Sequence, residues 1–98
     1  MHFLVYYTDK PNSLALRMAT RPAHLDYVKN SGCVRMGGPL LGADGEAMAG
    51  GMLVLETDTI EQARAWMDDD PYVKAGLFES TIVRAWRWTV GNPNLPKA

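Results

Sequence analysis

The chain has 98 residues, of which 47% are hydrophobic and 21% charged, with a formal net charge of -1. That length suits one domain, and the balance excludes both the polar bias of disorder and the apolar bias of a membrane protein. Acids and bases are interspersed, so no basic field exists for a phosphate backbone or an anionic membrane, and neither nucleic acid nor a membrane is an expected partner.

His2 to Tyr7 is rich in β-branched and aromatic residues and reads as a strand, with Phe3, Val5 and Tyr7 on one face and Leu4 and Tyr6 on the other, both faces covered. The stretch Met1 to Thr8 is too short to span a bilayer and lacks the basic start and small-residue cleavage site of a secretory signal. Thr8 to Pro11 makes a turn, after which Asn12 or Ser13 caps a short helix through Leu14, Leu16, Arg17 and Met18. Pro22 pushes Arg21 away from helical geometry, which predicts a break around Thr20 and Arg21 and a second helix that Pro22 opens. In that second piece Ala23 and Tyr27, and His24 and Val28, fall one turn apart, Asp26, Lys29 and Asn30 face water, and Gly32 is the stop.

Cys33 to Met36 reads as a short strand ending at Gly37, Gly38 and Pro39, where the glycine pair allows a bulge or a close backbone approach. Leu40 to Ala49, with an Asp44-Gly45 turn signal, reads as a hairpin loop, and Gly51 to Glu56 as a strand buried on both faces. Thr59 and Gln62 have the spacing of a capping box, and Ile60, Ala63, Trp66 and Met67 supply the helical period behind it. This helix runs into Asp68, Asp69 and Asp70, carboxylates that meet the negative end of its dipole, and Asp70 can cap a further short helix beginning at Pro71. Phe78 to Val90, with Trp86 and Trp88, is the closing strand of a domain over 1–90, followed by a tail over 91–98.

The order strand, helix, strand, strand, helix, strand is the split βαβ arrangement of a ferredoxin-like α+β fold, an antiparallel sheet with its helices on one face. The two-sided hydrophobicity of His2 to Tyr7 and Gly51 to Glu56 predicts that the uncovered face packs on a second copy, in a homodimer of two-fold symmetry or a higher oligomer.

His24 stands near a helix start, where the backbone dipole disfavours added positive charge, so its ring needs a partner. A backbone carbonyl would serve a purely structural role, whereas a carboxylate, best supplied by Asp70, would suit proton transfer. Capping by Asp70 and pairing with His24 are compatible, and each would relieve an unfavourable placement of the other. Arg17 and Arg21 either bind an anionic small-molecule substrate or lie in water, the second being the commoner fate of surface arginines. Gly38 and Pro39 are expected to wall the cleft, with Tyr72 beside Asp70 in contact with its contents. Cys33, the single cysteine, excludes an intrachain disulfide, agrees with a reducing compartment such as the cytoplasm, and reads as a small buried hydrophobe rather than a nucleophile. No HxxxH or CxxC pair suggests a metal, and Gly37-Gly38-Pro39 forms no phosphate or dinucleotide fingerprint, so no cofactor is expected. Trp66, Trp86 and Trp88 belong to core or interface.

Arg21-Pro22-Ala23-His24-Leu25, then Gly37-Gly38-Pro39, then Asp70-Pro71-Tyr72 with Gly76, and a last strand through Ala85 and Trp86, together resemble the YciI-like family over His2 to about Trp88. The resemblance implies a dimeric α/β barrel of ferredoxin-like subunits with a site built around His24 and Asp70. It also implies that small-molecule elimination is within reach, because one related enzyme type removes chloride from a chlorinated hydroxyquinol. The expected function is a cofactor-independent enzyme that moves a proton with a His24-Asp70 pair in an elimination or isomerisation. The alternatives are a metabolite-binding or regulatory module using the same cleft, and a dimeric domain in which these residues serve folding alone.

Overall fold

The computed structural model describes residues 1–94. The elements are β1 (His2–Asp9), α1 (Leu14–Ser31), β2 (Val34–Leu41), β3 (Met48–Glu56), α2 (Ile60–Asp69), α3 (Pro71–Lys74) and β4 (Phe78–Trp86). The strands lie in the order β2-β3-β1-β4 with every neighbouring pair antiparallel, which is the ferredoxin-like α+β topology, its helices on one face of the sheet. Strand β1 takes the central position because its alternation feeds both surfaces. Phe3, Val5 and Tyr7 face the helices and are buried, opposite Leu55, Leu53 and Gly51 of β3. Ala63, Trp66 and Met67 of α2 complete this core. On the other face, Tyr6 lies between Met52 and Ile82, and His2 pairs with Trp86. Tyr6, Ile82 and Trp86 there remain 41%, 45% and 37% exposed.

The break expected near Thr20 and Arg21 does not occur, and α1 is one helix of 18 residues with Pro22 inside it. Interior proline costs a helix about 3 kcal/mol. Two features offset this. Pro22 is exposed, so water can reach the carbonyl left without its amide, and the flanking Arg17 and His24 are buried and anchored to Asp9 and Asp70, which holds both halves on one line. Ser13 occupies the N-cap position, but its hydroxyl bonds the Pro11 carbonyl at 3.4 Å instead of a helix amide. Gly32 ends the helix in the left-handed region, φ 71°.

Strand β2 does not stop at the glycines but runs through Gly37, Gly38 and Pro39 to Leu41. It is an edge strand, where proline is tolerated. At Gly37 a Cβ would meet Leu53 Cδ2 at 2.2 Å and the Met52 carbonyl oxygen at 3.0 Å, so glycine lets the two strands pass. The register slips between Val34 and Met36, a bulge that begins before the glycine pair. The other strands also differ from expectation in length: β1 extends to Asp9, β3 starts at Met48, and β4 ends at Trp86 rather than Val90. Of the tail over 91–98, residues 95–98 lie outside those described.

The Thr59-Gln62 capping box is present, with Thr59 Oγ1 accepting from the Gln62 amide at 3.2 Å and Gln62 Oε1 accepting from the Thr59 amide at 3.3 Å. Helix α2 ends at Asp69, and Asp70 leaves it with extended backbone. Its carboxylate thereby escapes the negative end of α2 and caps α3 instead.

Candidate active site

His24 Nδ1 lies 2.8 Å from Asp70 Oδ1, both side chains buried. An ionised carboxylate oxygen can only accept, so Nδ1 carries the hydrogen, and in the neutral imidazole Nε2 presents a lone pair. The same Oδ1 accepts the Tyr72 amide at 3.0 Å, so Asp70 caps α3 and holds the imidazole together. Asp70 Oδ2 is buried and has no hydrogen-bond partner among the described residues. The Tyr72 ring stacks on His24 with centroids 4.1 Å apart and planes 20° apart, which fixes the imidazole's plane as Asp70 fixes its rotation.

His24 borders a half-open cleft of about 190 Å³ between α1, the β2-β3 side of the sheet and Tyr72 of α3. Gly38 and Pro39 line it, from a strand rather than the loop that was expected. Leu25, Val28, Val34 and Leu53 make much of the lining apolar.

The two arginines of α1 differ. Arg17 is 3% exposed, which overturns the solvated reading. Its Nε and Nη2 donate to the two oxygens of Asp9 at 2.7 and 3.0 Å, Nη2 also donates to the Gly50 carbonyl at 2.9 Å, and its Cζ lies 4.8 Å from the Tyr72 ring centroid. Burial alone would pull the guanidinium pKa down, but the hydrogen bonds and charge of Asp9 outweigh it and leave it raised. Arg21 is half-buried, lines the cavity, and makes no ion pair among the described residues.

Tyr7 was legible only as a core residue, yet it lines the cavity. Its ring stacks on Phe78 at 4.0 Å and occupies the space where a Cβ on Gly51 would stand, 2.3 Å from its Cε2. Burial, with the charge of Asp70 adding to it, holds its phenol well above the ordinary tyrosine range. Tyr72 is raised as well, mainly by burial, so both hydroxyls keep their protons at neutral pH. The signal for Tyr7 was the Gly50-Gly51 pair inside an otherwise apolar strand, which marks a close approach. Asp9, read as part of a turn, is the other residue the sequence did not single out. Cys33 immediately precedes β2, its Sγ 3.7 Å from Ser31 Oγ, and is not among the cavity residues. Among the described residues no group of three or more His, Cys, Asp or Glu side chains could hold a metal ion.

An antiparallel sheet covered on one face, with a cavity beneath its long first helix, defines a ferredoxin-like α+β domain. Residues 1–87 match the YCII-related domain, and the chain belongs to that family. It is 33% identical over 95 residues to protein YciI of Escherichia coli O6:H1, covering 89% of this chain and 97% of that protein. Among solved structures it is similar to 5-chloro-2-hydroxyhydroquinone dehydrochlorinase (TftG) from Burkholderia phenoliruptrix AC1100, in complex with 2,5-dihydroxybenzoquinone. That likeness has a TM-score of 0.82 and 38% identity, over 89% of this chain and 94% of the other. An antibiotic biosynthesis monooxygenase, at TM-score 0.57 and 4% identity over 90% and 97% of the two chains, shares the fold alone.

Proposed function

We propose that this protein is a cofactor-independent enzyme acting on a small single-ring substrate, with His24 as the proton-transfer group in an elimination or isomerisation. The observation that carries this reading is the 2.8 Å bond from His24 Nδ1 to Asp70 Oδ1, which makes Nε2 of the neutral ring an acceptor on a residue that borders the cavity. A positioned imidazole of this kind contributes about 10²- to 10⁴-fold to a proton transfer. Asp70 is the positioning residue: it selects the tautomer and balances the imidazolium that forms when Nε2 takes a proton. An elimination needs one proton removed and one leaving group released with its electron pair. His24 takes the first and later gives it to solvent, while the leaving group departs as an anion. The Tyr7 and Tyr72 hydroxyls are protonated donors available to oxygens of the ring. A cavity of about 150 Å³ holds benzene, so one substituted ring is the right size for the 190 Å³ here. The likeness to a dehydrochlorinase whose structure holds a dihydroxybenzoquinone supports the same size and reaction class.

The protein acts as a homodimer in this proposal. Tyr6, Ile82 and Trp86 on the uncovered sheet face, with Leu4 and Met52 between them, form an apolar surface of the kind a second copy covers. Light scattering at micromolar concentration should give twice the chain mass; a monomer removes this part. For the chemistry, a metabolite screen by thermal shift followed by turnover assays of each hit is the test. Hits that bind and turn over, with turnover lost in His24→Asn, support the enzyme. Hits that bind and are returned unchanged make the domain a binding module.

A further inference from the structure

The cavity carries charge of one sign. Arg17, Arg21 and Arg35 border it, and no aspartate or glutamate does. Two of the three guanidinium groups have internal counter-charges. Arg17 is held by both oxygens of Asp9, and Arg35 donates to Glu56 at 2.6 Å and to the Gly32 carbonyl at 2.9 Å. Arg21 has neither a carboxylate nor a carbonyl partner among the described residues, although it is half-buried and its charge is shielded by less water than a surface arginine's. Its influence already reaches the inside of the site, where its positive charge is one of those bearing on the Tyr72 phenol.

Its place on α1 supplies the geometry. Residues 17, 21 and 24 fall at i, i+4 and i+7, so Arg17, Arg21 and His24 share one stripe of the helix. Arg21 precedes His24 by three residues, a rise of about 4.5 Å along the axis. The saturated Arg17 stands on one side of it and the open imidazole on the other. A planar guanidinium without a partner, one turn from a proton acceptor and at the wall of a partly apolar cleft, is suited to a carboxylate or another acidic oxygen, which it can meet with two parallel hydrogen bonds.

We infer that Arg21 is an anion subsite and that the substrate class is a small ring-borne acid, its ionised oxygen on Arg21 and a ring position across from it at His24 Nε2. This rests on the reading of the cavity as the substrate site, but it concerns binding and is measurable without turnover. The chemistry is that of an acidic oxygen on one ring, a carboxylate or an ionised phenol, and the arms of the test separate the two.

Three probes decide it by calorimetric titration at pH 8, with NMR shifts to place them: benzoate, 4-nitrophenolate and the neutral benzamide. Benzoate or 4-nitrophenolate should bind with shifts at His24 and Tyr72, more tightly than benzamide. Arg21→Gln should weaken that anion about tenfold or more, Arg21→Lys should restore part of the loss, and benzamide should respond to neither. The anion that binds identifies the acid. Because these titrations read binding alone, a protein that binds the anions through Arg21 yet never turns over a substrate fails the enzyme reading and keeps this one. Benzamide binding as well as the anions, an Arg21→Gln protein that binds them unchanged, or no probe entering the cavity would each overturn the subsite.

Discussion

Two buried hydrogen-bonded pairs hang from the same face of α1, Arg17 with Asp9 and His24 with Asp70, and they are built differently. The first is closed: both oxygens of Asp9 are taken, and the guanidinium adds the Gly50 carbonyl. The second is open: His24 keeps Nε2 free, and Asp70 Oδ2 is buried without a partner. A pair that serves folding tends to satisfy its atoms, because an unpaired buried polar atom costs about 1–3 kcal/mol. A pair that leaves a ring nitrogen open on a residue bordering a cavity, and a carboxylate oxygen buried behind it without a partner, is held in readiness for something else.

The comparison can be broken from the closed side first. Asp9→Ala strands a buried guanidinium and should cost about 3–5 kcal/mol in urea unfolding, enough to threaten a domain of this size. A loss below 1 kcal/mol would show that Arg17 is less committed to Asp9 than their distances indicate. On the open side, Asp70→Asn keeps an oxygen for the Tyr72 amide, so stability should fall by only about 1 kcal/mol, while turnover of a substrate found by screening should fall about tenfold or more through loss of ring orientation. Equal damage to both would place Asp70 in the same structural class as Asp9.

The tyrosines around these pairs add a pH signature. Burial, then the charges of Asp69 and Asp70, pushes Tyr27 up to about 12, and Tyr7 and Tyr72 are raised as well. An unfolded tyrosine ionises near about 10. Folded values above the unfolded one mean that the stabilisation is complete below that pH and is lost as pH rises through the folded values. The urea midpoint should therefore be flat through neutrality and fall above about pH 10. Tyr27→Phe should make that fall shallower, and no change in its slope would contradict the assignment. The smallest effect is Thr59→Ala, which removes the cap of α2, far from both pairs, and should cost about 1 kcal/mol of stability with turnover unchanged. An unaltered unfolding midpoint would show that the capping box seen here carries no net energy.

What was legible in the sequence follows the same division. Local signals were readable: the alternation of Phe3, Val5 and Tyr7, the Thr59-Gln62 box, and Asp70 ahead of Pro71 all depend on neighbours within a few residues. The meeting of His24 and Asp70 was expected from the family resemblance, from carboxylate crowding at Asp70 and from a helix start beside His24. The two side chains meet, but α1 runs unbroken and puts His24 in its interior, where the dipole of a helix start does not act. Placement within the sheet and across the core was not readable. That β2 is an edge strand decides why Pro39 does not end it. That Tyr7 pairs with Gly51 decides why its ring reaches the cavity, and the Asp9 partner of Arg17 helps α1 to continue past Pro22. The first two depend on residues far along the chain and the third on how the turn after β1 brings Asp9 back to α1, none of which periodicity encodes.

The measurement that bears most directly on the open pair is turnover by His24→Asn against wild type, on a substrate obtained by screening, with circular dichroism and a urea titration on both proteins. Asparagine keeps a polar side chain that can still bond Asp70 but has no basic nitrogen. Turnover should fall by about 10²- to 10⁴-fold while the fold remains intact. A folded His24→Asn protein with full activity would contradict proton transfer by His24.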